Sequence, residues 1–389
     1  MLKLSISPES EKFRESFRAW LALNTPPARA NEASLEDFQR VGRTWQRQLS
    51  AGKWLGVYWA TEFGGRGLSL VEEAIVQEEL VRVQAPQVLG LFGITMVGPV
   101  LIQHGTQAQK ERFLARILSG DEIWCQGFSE TGAGSDLANV KTKAVAVEGG
   151  LSITGHKVWT SFAHIADWCF VLCRTSEGQK KHEGLTYILV DMKSPGITTR
   201  PLQQISGDKE FNEVYFDNVF VPNDMVVGAL GDGWRIAIST LMFERVVLTF
   251  ARQLQSEVLL RGLLKRYHDD PKSISPSQRE KIAMCVVEAC AGRALAYEHL
   301  MEYAHGKTPG PEGSLDKLLW SESFQRLCQV ALDVAGVETL HGEQGASGSA
   351  EVHQYLYSRG RTIAAGTSEI QRNIIAERML QLPRLKISR

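Results

Sequence analysis

Three stretches of this chain carry side chains whose type and spacing could do chemistry. The sharpest is a single residue, Glu244. On a helix its neighbours three, four and seven positions away are Leu241, Thr240, Ala237, Val247, Leu248 and Ala251, and no lysine or arginine stands three or four residues off to pair with it. A carboxylate on an apolar face is either solvated at a cavity or raised in pKa, and both conditions suit a general base. The competing assignment is an ion pair with Arg245 or with a distant cation. The second stretch is the loop Thr131-Gly132-Ala133-Gly134-Ser135-Asp136, which follows a strand-like run from Ile123 to Glu130. Glycines let a backbone approach a ligand and aim N–H groups at anionic oxygens, although a simple tight turn uses the same residues. The third, Lys157-Val158-Trp159-Thr160-Ser161, offers a ring and two hydroxyls between strands, with a core tryptophan as the alternative.

Other chemistries fail on spacing. Gly306-Lys307-Thr308 looks like the end of a phosphate-binding loop, but Met301 stands where its first glycine is required and no strand precedes it. His341 and His353 lack partners at metal-ligand spacing, and no serine sits in a G-x-S-x-G elbow. Cys125, Cys169, Cys173, Cys285, Cys290 and Cys328 form no CxxC pair and read as buried thiols of a reducing compartment. The 43 basic and 44 acidic residues leave a net charge of −1, which removes the electrostatic case for a nucleic-acid binder.

The elements that must position these residues follow from periodicity. The chain has 389 residues, room for two or three domains, with the 43% hydrophobic and 22% charged composition of an ordinary soluble enzyme. Ser69-Leu70-Val71-Glu72 is a capping box that opens a helix ending near Pro86, and Gln107 to Leu118 is a second amphipathic helix closed by Ser119-Gly120. Val140–Val147, Trp168–Cys173 and Leu185–Asp191 alternate as strands, and Val214-Tyr215-Phe216 and Val219-Phe220-Val221 read as two more short ones. Helical period returns after Gly231-Asp232-Gly233. It runs through Phe243, Val246, Val247, Phe250, Leu254 and Val258, breaks at Asp269–Ser277, and resumes over Leu318–Ala335 and again from Ser368 after a Gly342–Ser349 loop. Helices, then a β-insert, then helices is not the order of a doubly wound nucleotide fold. The charges at Glu9, Glu11, Lys12, Arg14 and Glu15 do not fit a signal peptide. The uncharged Val83–Gln109, broken by Pro86, Gly90, Gly93, Gly98, Pro99 and Gly105, fits a buried helix better than a membrane span. A cytoplasmic protein without a membrane span is expected.

Four separated segments resemble the acyl-CoA dehydrogenase family, in its order and spacing across nearly the whole chain. They are Trp124-Cys125-Gln126-Gly127-Phe128-Ser129-Glu130-Thr131-Gly132-Ala133-Gly134-Ser135-Asp136, Gly155-His156-Lys157-Val158-Trp159-Thr160-Ser161, Phe211-Asn212-Glu213-Val214-Tyr215-Phe216 and Gly366-Thr367-Ser368-Glu369-Ile370-Gln371-Arg372-Asn373. The resemblance implies an α+β multidomain fold: an N-terminal helical domain over residues 1–121, a central β-barrel or sandwich over 122–230 and a C-terminal four-helix bundle over 231–389. It also implies an FAD flavoprotein that desaturates an acyl thioester between Cα and Cβ, passing electrons to an electron-transferring flavoprotein as a homodimer or homotetramer. By the same resemblance Phe128, Ser129 and Ser135 sit near flavin and substrate, and Trp159 and Ser161 contact the isoalloxazine, Ser161 near its N5. Thr367 and Glu369 meet the cofactor, Ser135 and Arg245 meet the substrate, and Leu89–Leu101 lines the acyl pocket.

Two departures refine this. Many members carry the catalytic glutamate just before the C-terminal Gly-Thr, where this chain has Ala364-Ala365. A subset carries it on the first long bundle helix immediately before an arginine, and Glu244-Arg245 matches that arrangement, so Glu244 is the expected base. The glycine-pair motif that helps bind FAD from a neighbouring subunit is only partly matched by Asp333-Val334-Ala335-Gly336-Val337. The arginine ahead of it is replaced by Pro309-Gly310-Pro311-Glu312-Gly313-Ser314. Three alternatives stay open: a flavin monooxygenase or oxidase of the same fold, a non-catalytic subunit of a hetero-oligomer, and a dehydrogenase of carrier-protein thioesters rather than acyl-CoA.

Overall fold

The computed structural model describes residues 6–28, 35–307, 310–336 and 350–384, without the side chains of residues 244–250. Glu244 and Arg245 are therefore described by their backbone alone. The Gly342–Ser349 loop, Thr308, Pro309, Val337 and His341 lie outside the described residues.

The N-terminal third is helical: α1 (Pro8–Leu23), α2 (Leu35–Ala51), α3 (Leu70–Arg82), α4 (Gly98–His104) and α5 (Gln107–Ser119). Ser69 Oγ accepts the Val71 N–H at 3.1 Å while Glu72 accepts the Ser69 N–H at 3.0 Å, so the expected capping box opens α3. Thr106 and Gln109 cap α5 reciprocally, and Gly120, at φ +74°, ends it. The uncharged stretch folds as a buried π-helical turn, Gly93–Val97, running into α4. A Cβ on Gly98 would lie 2.4 Å from the Trp59 ring and one on Gly93 2.9 Å from Ile117. These glycines exist for close packing, and Ile94, Met96, Val97, Val100 and Leu101 belong to the main core. The Leu89–Leu101 segment is thus mostly core; Leu91 and Phe92 are its only half-exposed residues between 91 and 100.

The middle of the chain is one eight-stranded sheet: β1 (Trp124–Gly127), β2 (Lys143–Val147), β3 (Gly150–Lys157), β4 (Trp168–Arg174), β5 (Leu185–Asp191), β6 (Ile197–Leu202), β7 (Phe211–Pro222) and β8 (Val226–Val227). Its order is β6-β7-β3-β2-β4-β5-β8, with β1 parallel to β4. The sheet folds back on itself, so that Leu151, Ile153, Val214, Phe216, Val219 and Val221 pack against Cys169, Val171, Ile188 and Val190. The other face of β4 and β5 packs on the helices through Phe170, Leu172, Tyr187 and Leu189. These two strands are buried on both faces and so do not alternate in burial as their sequence periodicity implied. The two short strands expected at 214–216 and 219–221 are one strand, β7. A bulge at Asp217–Asn218, with Asn218 at φ +51°, switches the inward face from even to odd positions.

The C-terminal part packs α6 (Gly233–Asp269), α7 (Pro276–Ala304), α8 (Glu312–Ala335), α9 (Ala350–Arg361) and α10 (Ser368–Ile374). The break at Asp269–Ser277 holds a 3-10 turn, Pro271–Ser273, and a Ser275–Gln278 capping box that starts α7. Among the described residues no helix is long and apolar enough to cross a membrane.

An ion network ties this bundle to the N-terminal helices. Buried Glu79 accepts from Arg14 (3.1 Å), Arg18 (2.8 Å) and Arg82 (2.6 Å). Its neighbour Glu78 accepts from Arg14 (2.7 Å), Tyr297 (2.8 Å) and Arg293, which also reaches Glu257 on α6 at 2.7 Å. Burial works to raise the Glu79 pKa, but hydrogen bonds from Arg18, Arg82 and Arg14 outweigh it and hold the carboxyl below its ordinary value. With the folded pKa depressed, the stabilisation is full above the unfolded value and is lost as pH falls through the folded one. Glu79→Ala is expected to cost about 1–2 kcal/mol at neutral pH, because it removes the acceptor shared by half-exposed Arg18 and Arg82 and by Arg14, which keeps Glu78. Thermal melts across pH should show the deficit shrinking below about pH 4; a deficit that grows on acidification contradicts this account.

Candidate active site

The two loops singled out in sequence hang from one buried ion pair. Lys157 ends β3 with its side chain fully buried, and its Nζ donates to Glu130 Oε1 (2.8 Å), Phe128 O (3.0 Å) and Leu172 O (2.7 Å). Glu130 also accepts the backbone N–H groups of Lys141 (2.7 Å) and Thr142 (2.9 Å). Burial opposes ionisation of Glu130, but the charge and hydrogen bond of Lys157, with those from residues 141 and 142, keep its pKa below the ordinary value. The period-2 pattern carries the clue to this lysine, since 151, 153 and 157 share the inward face of β3.

Glu130 and Ala133 exchange two backbone hydrogen bonds (3.1 and 3.0 Å) and close the glycine loop as a tight turn. Its outer side is open: Gly132, Gly134 and Ser135 are exposed, and a Cβ on either glycine would meet nothing within 4 Å. Phe128 stands at the loop's base, but its ring is core, edge-on to Phe170 and Tyr187 at 5.7 and 5.9 Å. Ser129 is half-buried, and its carbonyl accepts the Val158 N–H at 2.9 Å, which joins this loop to the next.

In that next loop Trp159 is 59% exposed at φ +61°, and Phe162 is at φ +59°. Left-handed backbone at two bulky residues costs about 1–3 kcal/mol each and persists only where surroundings enforce it. Here Thr160 exchanges backbone hydrogen bonds with Asn212 (3.0 and 3.1 Å), while Phe162 is wedged between Phe38 and Phe92, at 6.1 and 6.4 Å. The Trp159 ring, edge-on to Phe211 at 5.8 Å, is held out of the core, so the core-tryptophan alternative does not apply. Ser161 beside it is half-buried, and Thr160 Oγ1 is buried without a hydrogen-bond partner among the described residues.

The bundle contributes a second turn. Ala365 and Gly366 are both left-handed, at φ +55° and +91°, and Thr367 Oγ1 caps α10 by accepting the Ile370 N–H at 3.2 Å. Glu369 is exposed, 3.8 Å from Arg372, and hydrogen bonds from its own N–H and from Thr367 lower its pKa. This turn follows α9, which holds the β-domain through His353 to Asp208 (2.9 Å) and Tyr357 to Glu210 (3.2 Å). Glu210 in turn precedes Phe211, the partner of Trp159. The structure thus brings Phe128, Ser129, Ser135, Trp159 and Ser161 to the connections leaving β1 and β3, and sets Thr367 and Glu369 on the bundle. On α6, Ala237 and Thr240 are fully buried, and position 244 follows one turn farther along.

The family models for the N-terminal, middle and C-terminal domains of acyl-CoA dehydrogenases match residues 7–121, 125–219 and 231–380. The chain belongs to the acyl-CoA dehydrogenase family. It is 40% identical over 397 residues to the acyl-CoA dehydrogenase IpdE1 of Mycolicibacterium smegmatis, across 97% of this chain and 98% of that protein. Among solved structures it is similar to the Tcur3481-Tcur3483 steroid ACAD, with a TM-score of 0.85 and 26% identity over 99% of this chain and 100% of that one. The ChsE4-ChsE5 complex from Mycobacterium tuberculosis gives a TM-score of 0.83, again at 26% identity over 99% and 100%.

As an acyl-CoA dehydrogenase the protein is a flavoprotein oxidoreductase of lipid metabolism, and the family's cofactor is FAD. The residues present fit that group. An enforced, outward-facing indole, an orphaned buried hydroxyl at Thr160 and a glycine loop open on one side suit a planar ring system with an anionic tail. Lys157→Met should leave the Glu130 carboxylate buried without its cation and cost about 3–5 kcal/mol, with FAD lost on gel filtration. Adding Glu130→Gln should recover part of the melting temperature; a double variant no better than the single one argues against the pair as anchor.

Proposed function

We propose that Glu244 is the base of this acyl-CoA dehydrogenase and removes the α-proton of the bound thioester. What carries the reading is the C-terminal turn. The two residues ahead of Gly366-Thr367 are alanines, and neither can accept a proton, whereas Glu244 stands on α6 one turn beyond the buried Thr240. FAD, when bound, supplies the acceptor for the β-hydrogen as hydride. Trp159 and Ser161 hold the isoalloxazine, with Ser161 toward N5. Phe128, Ser129 and Ser135 shape the β-domain wall, Thr367 and Glu369 complete the cofactor site from the bundle, and Ser135 and Arg245 receive the thioester. A carboxylate raised toward the working pH by an apolar surround abstracts a proton most effectively, and excluding water protects the developing charge. The chain is divided for this work as 1–121, 122–230 and 231–389.

The acyl group we assign is a bulky ring-bearing one, because a steroid ACAD is among the similar solved structures. The electron acceptor is an electron-transferring flavoprotein and the compartment the cytoplasm, in keeping with six free cysteines, five of them buried. A homodimer or homotetramer is the first assembly considered. A hetero-oligomer is the second, favoured by the ChsE4-ChsE5 complex among the similar structures and by the partial match of Asp333–Gly336 to the glycine-pair motif.

Glu244→Gln should retain bound, yellow FAD yet lose thioester-dependent flavin bleaching by about a thousandfold in stopped flow. Unchanged bleaching removes Glu244 from the reaction. The same assay over a panel of straight-chain, branched and ring-bearing acyl-CoA and acyl-carrier thioesters ranks the substrates. Stoichiometric FAD with turnover in the purified chain alone would exclude a non-catalytic subunit, and rapid oxygen consumption by the reduced form would instead favour an oxidase.

A further inference from the structure

Helix α8 and the last segment of the chain meet along a polar seam. Gln325 Nε2 donates to Thr362 Oγ1 (2.8 Å) and Ser358 O (3.1 Å), and Arg372 pairs with Glu322 at 2.5 Å. Farther up α8, Lys317 is 1% exposed, and its Nζ donates to the Gly366 carbonyl at 2.7 Å. Gln371, fully buried, reaches the same carbonyl at 3.2 Å and that of Ala365 at 2.8 Å. Two buried donors therefore converge on the backbone of two consecutive left-handed residues. The first amides of α10 are spent on Thr367, Ile370 N–H on its Oγ1 and Gln371 N–H on its carbonyl at 2.9 Å. The carbonyls of residues 365 and 366 are thus left to side chains.

Burying an ammonium is costly, and an apolar residue would pack α8 against α10 with less penalty. What an apolar residue lacks is a donor for a carbonyl that the left-handed turn has aimed at α8. Ala365, which has a Cβ, stays at φ +55° only while something outside the turn enforces it. Gly366 holds φ +91°, which L side chains rarely adopt, and a Cβ there would displace Gln371 Nε2, 2.6 Å away, from its carbonyl partners.

We propose that Lys317 is a positioning residue which, together with Gln371, fixes the Ala365–Gly366 turn so that Thr367 and Glu369 are presented to FAD. The inference rests on the reading of Thr367 and Glu369 as cofactor contacts. The test uses full-length apoprotein titrated with FAD, read by quenching of flavin fluorescence and by the visible spectrum of the bound flavin. Far-UV melts of each apoprotein report the fold. Lys317→Met keeps the apolar stem and removes the donor. It should weaken FAD binding about tenfold or more and shift the bound-flavin bands, as expected for a lost charge-assisted hydrogen bond. Gln371→Leu should act in the same direction by a smaller factor. Thr367→Val and Glu369→Gln probe the contacts themselves. If either weakens binding while Lys317→Met and Gln371→Leu stay within about twofold of the parent with an unchanged spectrum, the positioning role is overturned. If Thr367→Val and Glu369→Gln both bind as the parent does, it is the cofactor-contact reading that falls. Should Lys317→Met fail to fold, Gln371→Leu decides alone, and parent-like binding there overturns the proposal.

Discussion

A lysine with no solvent access must be given partners by its surroundings, and Lys157 obtains three: the Glu130 carboxylate and the carbonyls of Phe128 and Leu172. This one ammonium holds the end of β1, the end of β3 and the middle of β4 in a single arrangement. Glu130 extends the constraint by taking the N–H groups of Lys141 and Thr142, where the chain enters β2. Both loops with cofactor-type residues leave the sheet within two residues of the pair, and the Val158–Ser129 hydrogen bond fixes them to each other. A charge in the sheet's interior therefore anchors the strand end from which the exposed indole projects, and the Thr160–Asn212 hydrogen bonds and the Phe211 ring complete its placement.

Rigidity at the site is enforced from outside it as well. Trp159, Phe162 and Ala365 all adopt left-handed backbone without being glycine, and each is clamped by a different element. Asn212 of β7 pairs with Thr160, Phe38 and Phe92 of the N-terminal part flank Phe162, and Lys317 of α8 with Gln371 secures the turn after Ala365. All three parts of the chain thus contribute to holding strained backbone at these loops. Strain of this kind is stable only when several neighbours oppose its relief, which is one physical reason for mounting the site between layers.

Much of the architecture was legible because its signals are local. The capping box at Ser69 needs only side chains three residues apart, and Gly120 ends α5 because only its own φ matters. The strand signal was weaker where tertiary packing altered it. β4 and β5 bury both faces, and the bulge at Asp217–Asn218 flips the inward face of β7, so one strand presented itself as two. The glycines of the Leu89–Leu101 segment admit the Trp59 ring and the Ile117 side chain at distances that a Cβ would crowd, a reason no local pattern contains.

By itself the sequence determined the order of helices, sheet and helices, the family, and the absence of a proton acceptor ahead of Gly366-Thr367. Each of these is written in residue types, periods and spacings along the chain. Only the tertiary structure decided that Trp159 faces outward, that Phe128 turns its ring into the core, and that Lys157 and Lys317 are buried struts rather than surface charges. Those outcomes depend on which distant carbonyls and rings arrive beside a residue. A side chain's burial and partners are properties of packing across dozens of positions, to which its near neighbours in sequence contribute little.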